Sequence, residues 1–172
     1  MKKKLFVVCL LILSVFIISG CKNIKNDNNN SSKGLDNDKK SGALIIDGYD
    51  LSLTEDSSFY DIKFKYPKGV DYNSLGTYTI LAYSRKDGPQ TLFKIGITKF
   101  DNKTVEEGMV SDKLMKIGTK SYNDISWTVY EVEGKDHTYA MESNKDLYTI
   151  NFIYDPGLEQ FEEEFMKNVK IG

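Results

Sequence analysis

Four groups of side chains in this chain could do chemistry. Cys21 closes the run Ile18-Ser19-Gly20-Cys21, where two small residues let a peptidase close on the backbone beside a thiol, the nucleophile that accepts a lipid. His137 is the only histidine, so no cluster of imidazoles can hold a metal, and a general base there would need an acid brought to it by the fold. It follows the turn-forming Gly134-Lys135-Asp136, where a polar, half-exposed strand residue is ordinary. No serine lies in a G-x-S-x-G setting, so a Ser–His–acid triad would exist only in three dimensions. Asp36, Asp38, Asp47 and Asp50 are rich in carboxylate but lack the central Gly and closing Glu of a calcium loop. Glu162-Glu163-Glu164 could attract a cation, yet consecutive helical residues point in different directions, and a solvated acidic face is expected. These residues predict no catalytic site, no metal site and no cofactor, and they leave Cys21 as the reactive position.

What precedes Cys21 is an address. Lys2-Lys3-Lys4 resist crossing a membrane, and Leu5 to Ile18 form an apolar segment, the charged and apolar regions of a signal peptide. As a helix rising about 1.5 Å per residue the run reaches ~21 Å, short of the ~30 Å that a permanent span must cover. With Ile18-Ser19-Gly20-Cys21 at its end, the segment resembles the lipobox signal of a bacterial lipoprotein. The resemblance implies cleavage between Gly20 and Cys21 and a diacylglyceryl group on the Cys21 sulfur. It would hold the chain at the extracytoplasmic face of the cell membrane. One acyl chain anchors weakly, with an association constant of ~10⁴ M⁻¹, whereas two give persistent anchoring. An ordinary secretory signal and an N-terminal membrane anchor are the alternatives.

Residues 22 to 42 change composition abruptly. Six Asn, five Lys, three Asp, three Ser and two Gly leave Ile24 and Leu35 as the only apolar side chains, too few to offset ordering the backbone. The segment is expected to be a disordered linker with an r.m.s. span of ~25 Å. Residues 43 to 172 are then expected to form one globular domain. Without residues 1 to 20 the chain has 20 basic and 25 acidic side chains, a formal charge of −5 that disfavours nucleic acid as a partner. Cys9 lies in the signal and Cys21 is expected to be acylated, so the domain must be held by its core and not by a disulfide.

Inside the domain the periodicity is mostly that of strands. Tyr60, Ile62, Phe64 and Tyr66 alternate with Asp61, Lys63 and Lys65 until Pro67 removes a ladder donor. Thr77 to Ser84 and Thr91 to Phe100 flank a turn-rich stretch and predict a hairpin. Ile125 to Glu133, His137 to Ser143 and Leu147 to Tyr154 are separated by loops short enough to predict a three-stranded meander. Ile117 to Tyr122 and Ala43 to Leu53 are candidates for further strands. Tyr60, Phe64, Phe93, Tyr148, Phe152, Phe161 and Phe165 fall at inward positions. Tyr49, Tyr72 and Tyr139 have less regular surroundings and are the candidates for surface contact.

Two segments have helical character. Asp155-Pro156 suits a helix start, and Leu158, Phe161, Phe165 and Val169 recur on one face. Thr104-Val105-Glu106-Glu107 has capping-box spacing and predicts a second helix to about Met115, weakened by Gly108. The expectation is an α+β domain, an antiparallel sheet of about six strands with two main helices.

Residues 60 to 67, the central helix, the meander through Trp127 and the closing helix ending in Asn168-Val169-Lys170-Ile171 resemble the PsbP-like α/β/α sandwich over residues 58 to 172. That resemblance implies a non-enzymatic accessory or protein-binding domain and transfers no functional residue. The expected partners are therefore the membrane, through Cys21, and an envelope or surface protein. A small ligand or cell-wall fragment is the second reading. A hydrolase is the third, which would require a cleft bringing His137 within ~3 Å of a Ser, Asp or Glu.

Overall fold

The computed structural model describes residues 43–88, 90–134 and 136–172, which fall in the compact unit Lys39–Gly172. The expected signal, the Gly20–Cys21 junction and the linker lie outside the described residues. Among the described residues no helix is long and apolar enough to cross a membrane.

Short polar turns between β-rich runs set the topology. The predicted hairpin forms as β6 (Tyr78–Ser84) and β7 (Thr91–Phe100), and the meander as β9 (Ile125–Val132), β10 (Asp136–Ser143) and β11 (Asp146–Tyr154). Asn144 and Lys145 both take positive φ (53° and 72°), the geometry of a two-residue hairpin turn whose twist matches its strands. Asn123 and Asp124 do the same (50° and 63°) between β8 (Leu114–Tyr122) and β9. With β5 (Asp71–Leu75) these strands form one antiparallel sheet of seven, in the order β5-β6-β7-β11-β10-β9-β8.

Alternation along β7, β10 and β11 puts Phe93, Ile95, Ile97, Tyr139, Met141, Tyr148, Ile150 and Phe152 on one buried face of that sheet. A second layer covers it. That layer is a three-stranded sheet of β3 (Leu53–Phe59), β4 (Ile62–Pro67) and β12 (Lys170–Ile171), together with α2 (Glu159–Asn168). Phe165 of α2 joins the layers, with ring centroids 5.9 Å from Phe64, 5.5 Å from Phe152 and 6.3 Å from Phe161. On the other face of the large sheet a small cluster of Tyr130, Ala140 and Leu147 lies under the region of α1 (Val105–Gly108). A two-stranded ribbon, β1 (Ile45–Ile46) and β2 (Tyr49–Asp50), precedes β3.

The α+β expectation, with two main helices in an α/β/α sandwich, is overturned: the described residues are mostly β and form three antiparallel sheets and two short helices. The predicted helix from Thr104 to Met115 makes one turn. Its capping box forms, with Glu107 N–H donating to Thr104 Oγ1 and Thr104 N–H to the Glu107 carboxylate, both at 3.1 Å. Gly108 then lies so close over Leu147 that an added Cβ would come within 2.0 Å of Leu147 Cδ2. From Leu114 the chain is already strand β8, longer than the Ile117–Tyr122 segment expected.

The last helix begins at Glu159 and not at Asp155-Pro156, because Asp155 is used elsewhere. Its carboxylate takes an ion pair from Arg85 and its N–H donates to Leu92 O, while Gly157 turns the chain at φ 99°. Tyr60 is not inward: it occupies the β3–β4 turn at φ 51° and is 53 % exposed. Strand β5 was not expected; its five residues are all exposed, so no alternation marks it.

The large sheet has two edges, β5 and β8. On β8 the register slips between Lys116 and Gly118, a bulge that leaves Ile117 without a cross-strand partner. Phe165→Ala should remove the ring shared by both layers and cost about 3–5 kcal/mol. A lowered urea midpoint followed by Trp127 fluorescence checks this, and an unchanged midpoint contradicts the two-layer core.

Candidate functional site

The chemistry of the described chain gathers where α2 crosses β10 and β11. Residues two apart on a strand share a face, so His137 and Tyr139 of β10 both project toward α2, and Tyr154 of β11 does so from the neighbouring strand. On α2, Glu162 lies four residues after Leu158 and three before Phe165, on the helix's inner face. The carboxylate is 3 % exposed.

There it accepts hydrogen bonds from three side chains: the Tyr139 hydroxyl, on Oε1; the Tyr154 hydroxyl, 2.6 Å from Oε2; and His137 Nδ1, 2.9 Å from Oε2 and 3.0 Å from Oε1. Donation from Nδ1 requires a proton on that nitrogen. Burial raises the pKa of the Tyr139 and Tyr154 hydroxyls well above the usual phenol range, and the Glu162 carboxylate beside them raises it further. Asn151 Nδ2 donates to Thr138 Oγ1 at 2.8 Å on the opposite side of β10.

His137 and Glu162 thus meet the distance set for an acid–base pair. Two depressions lie away from this pair, between β3, β4 and the end of α2. The oxygens of Glu162 are occupied by tyrosines that hold their protons. A buried carboxylate with three donors is satisfied, so the cluster pins α2 to the sheet.

The acidic run at 162–164 is therefore not a uniformly solvated face. Glu162 is inside, while Glu163 and Glu164 each pair with Lys167 at 3.0 Å on the surface. The helical spacing from Leu158 held the signal for this, obscured by the charge. Tyr49 and Tyr139, read as surface candidates, are buried. Tyr72 is exposed at the sheet edge, stacked on Tyr66 with centroids 6.0 Å apart. Among the described residues no group of three His, Cys, Asp or Glu is placed to hold a metal.

A second polar cluster closes the opposite end of β11. Lys99 Nζ bridges Asp146 at 2.8 Å and Asp101 at 3.0 Å and lies 4.9 Å from the Tyr60 ring centroid. These carboxylates raise the Lys99 pKa, and Lys99 in turn lowers that of Asp146. The Tyr148 hydroxyl donates to Asp61 at 3.0 Å; burial first and Asp61 second push it up to about 12.

No family model and no curated protein matches the chain. Six solved chains do. One is a protein from Bacteroides thetaiotaomicron VPI-5482, 12 % identical, with a TM-score of 0.39 over 65 % of this chain and 45 % of its own. The chain thus spans less than half the length of that protein.

Glu162→Leu should strand the Tyr139 hydroxyl in the core and cost about 3 kcal/mol. Urea unfolding reads this as a lower midpoint at unchanged slope, and a neutral result would mean the cluster holds nothing. The tyrosines set a pH response as well. Unfolded phenols lose their protons near pH 10. Tyr139, Tyr148 and Tyr154 lose theirs higher, so above pH 10 the unfolded chain binds fewer protons than the fold. Their contribution to stability is therefore full below pH 10 and falls as pH rises beyond it. Denaturation at pH 9, 10 and 11 should show that fall, and Tyr154→Phe should make it shallower.

Proposed function

We propose that this chain is a lipid-anchored, extracytoplasmic binding or accessory protein of the bacterial cell envelope, without enzymatic activity of its own. The observation that carries the reading is Ile18-Ser19-Gly20-Cys21 at the end of a short apolar run led by three lysines. Two acyl chains on Cys21 would keep the domain at the membrane, and residues 22 to 42 would give it reach.

Features of the described domain support a binding role over a reaction. Its single histidine is engaged by a buried carboxylate in a cluster that fixes the helix. Apolar side chains stand exposed on or just before the edge strand β8, at Val110 (70 %), Met115 (58 %) and Ile117 (46 %), where a protein partner could bury them. The excess of acidic over basic residues argues against nucleic acid as that partner.

Growth of expressing cells with an alkyne-bearing fatty acid tests the anchor. The tag should appear on the wild-type chain in the membrane fraction and vanish from Cys21→Ala. Tagging that persists on Cys21→Ala, or an untagged wild-type chain in the cytosol with residues 1 to 20 intact, overturns the reading.

A further inference from the structure

The outer surface of the three-stranded sheet carries charge that the fold does not use. Lys170 of β12 stands directly opposite Lys63 of β4, and Lys65, two residues along, shares that side of the strand. Like charges facing one another across strands oppose the pairing, and β12 has only two residues to hold it. Among the described residues neither Lys63 nor Lys170 has a carboxylate within ion-pair distance, and Lys65 reaches only the exposed Asp56, at 3.8 Å.

Beside these lysines two shallow depressions adjoin, sharing Lys65 and Asn168 in their walls. Ser58, directly opposite Lys63 across the strands, lines the one that holds Lys63 and Lys170 and adds a hydroxyl donor to the ammonium groups. Asp56 and Glu164 are the acids at the rim, and Glu164 is already paired with Lys167. Ammonium groups beside a hydroxyl suit the oxygens of phosphate.

We propose that this face is a docking surface for the phosphate headgroups of an anionic bilayer. Two features favour a membrane over a free anion. The lysines are spread along paired strands, about 5 to 7 Å apart, over an open surface, and do not converge on one point. Leu44 forms part of the adjoining wall, so the covalent path back to Cys21 begins at this face.

The inference rests on the proposed lipid anchor, which makes weak contacts sufficient. Each lysine at an anionic surface favours the docked state about fivefold, so Lys63 and Lys170, with Lys65 offset by Asp56, give roughly 25-fold. A tether of this length supplies an effective concentration in the millimolar range.

The test couples the mature chain, residues 21 to 172, through its Cys21 thiol to a maleimide lipid in vesicles, which supplies an anchor whether or not cells do. Lysines are then acetylated with a water-soluble reagent and read by mass spectrometry. On phosphatidylglycerol vesicles Lys63, Lys65 and Lys170 should react at least threefold more slowly than on phosphatidylcholine vesicles, while Lys103 and Lys145 react equally on both. Salt at 0.5 M should erase the difference, because it shortens the screening length to a few ångströms. Equal reactivity on the two lipids overturns the proposal, as does protection produced by inorganic phosphate on phosphatidylcholine, which would make the patch a free-anion site. Failure of fatty-acid tagging in cells would instead overturn the anchor alone.

Discussion

One face of the seven-stranded antiparallel sheet is apolar across its five inner strands, β6, β7, β11, β10 and β9, and the need to cover it governs the rest of this domain. A single ten-residue helix is too narrow for that task. The chain completes the cover with a second, three-stranded sheet whose strands come from opposite ends of the domain: β3 and β4 from its start and β12 from its last residues. Phe59, Ile62 and Phe64 from the small sheet and Phe161, Phe165 and Val169 from the helix enter the same core as Trp127, Tyr139 and Phe152. Closing the sheet therefore joins the two ends of the domain, and truncating either would open the apolar face.

The polar clusters make sense within that arrangement. Helix α2 has no side-chain cap at its start, and its N-cap is an apolar Leu158. Its position is fixed from the middle instead, by Glu162 beneath Tyr139, Tyr154 and His137. A carboxylate is costly to bury, yet three directional acceptances define one rotation of the helix about its axis, which apolar contacts alone do poorly. At the far end of β11, Lys99 between Asp101 and Asp146 ties the β7 and β11 ends together.

Much of the sheet was legible in the sequence because its strands alternate and its turns are short. The β6–β7 hairpin and the β9–β10–β11 meander follow from those two signals. The failures have physical causes. At Thr104 the local capping signal was real, but it could not extend a helix beyond Gly108, where the backbone rests on Leu147. Asp155 looked like a cap from its neighbours in sequence, whereas its partner, Arg85, lies 70 residues away. Tyr60 continued the alternation of β4 but falls in the turn that starts it. The Glu162 cluster was hidden because charge in a helix normally signals solvent, and only the fold brings two tyrosines and a histidine from β10 and β11 to it.

The slip in register at Ile117 has a consequence for how this edge meets other copies of the chain. Molecules at high local concentration meet one another often, and a straight unpaired strand such as a regular β8 would offer each neighbour a template for fibre growth. An extra residue that breaks the rhythm of donors and acceptors spoils that template while leaving the apolar side chains around it available. The same edge can therefore keep its apolar side chains exposed and still refuse endless copies of itself.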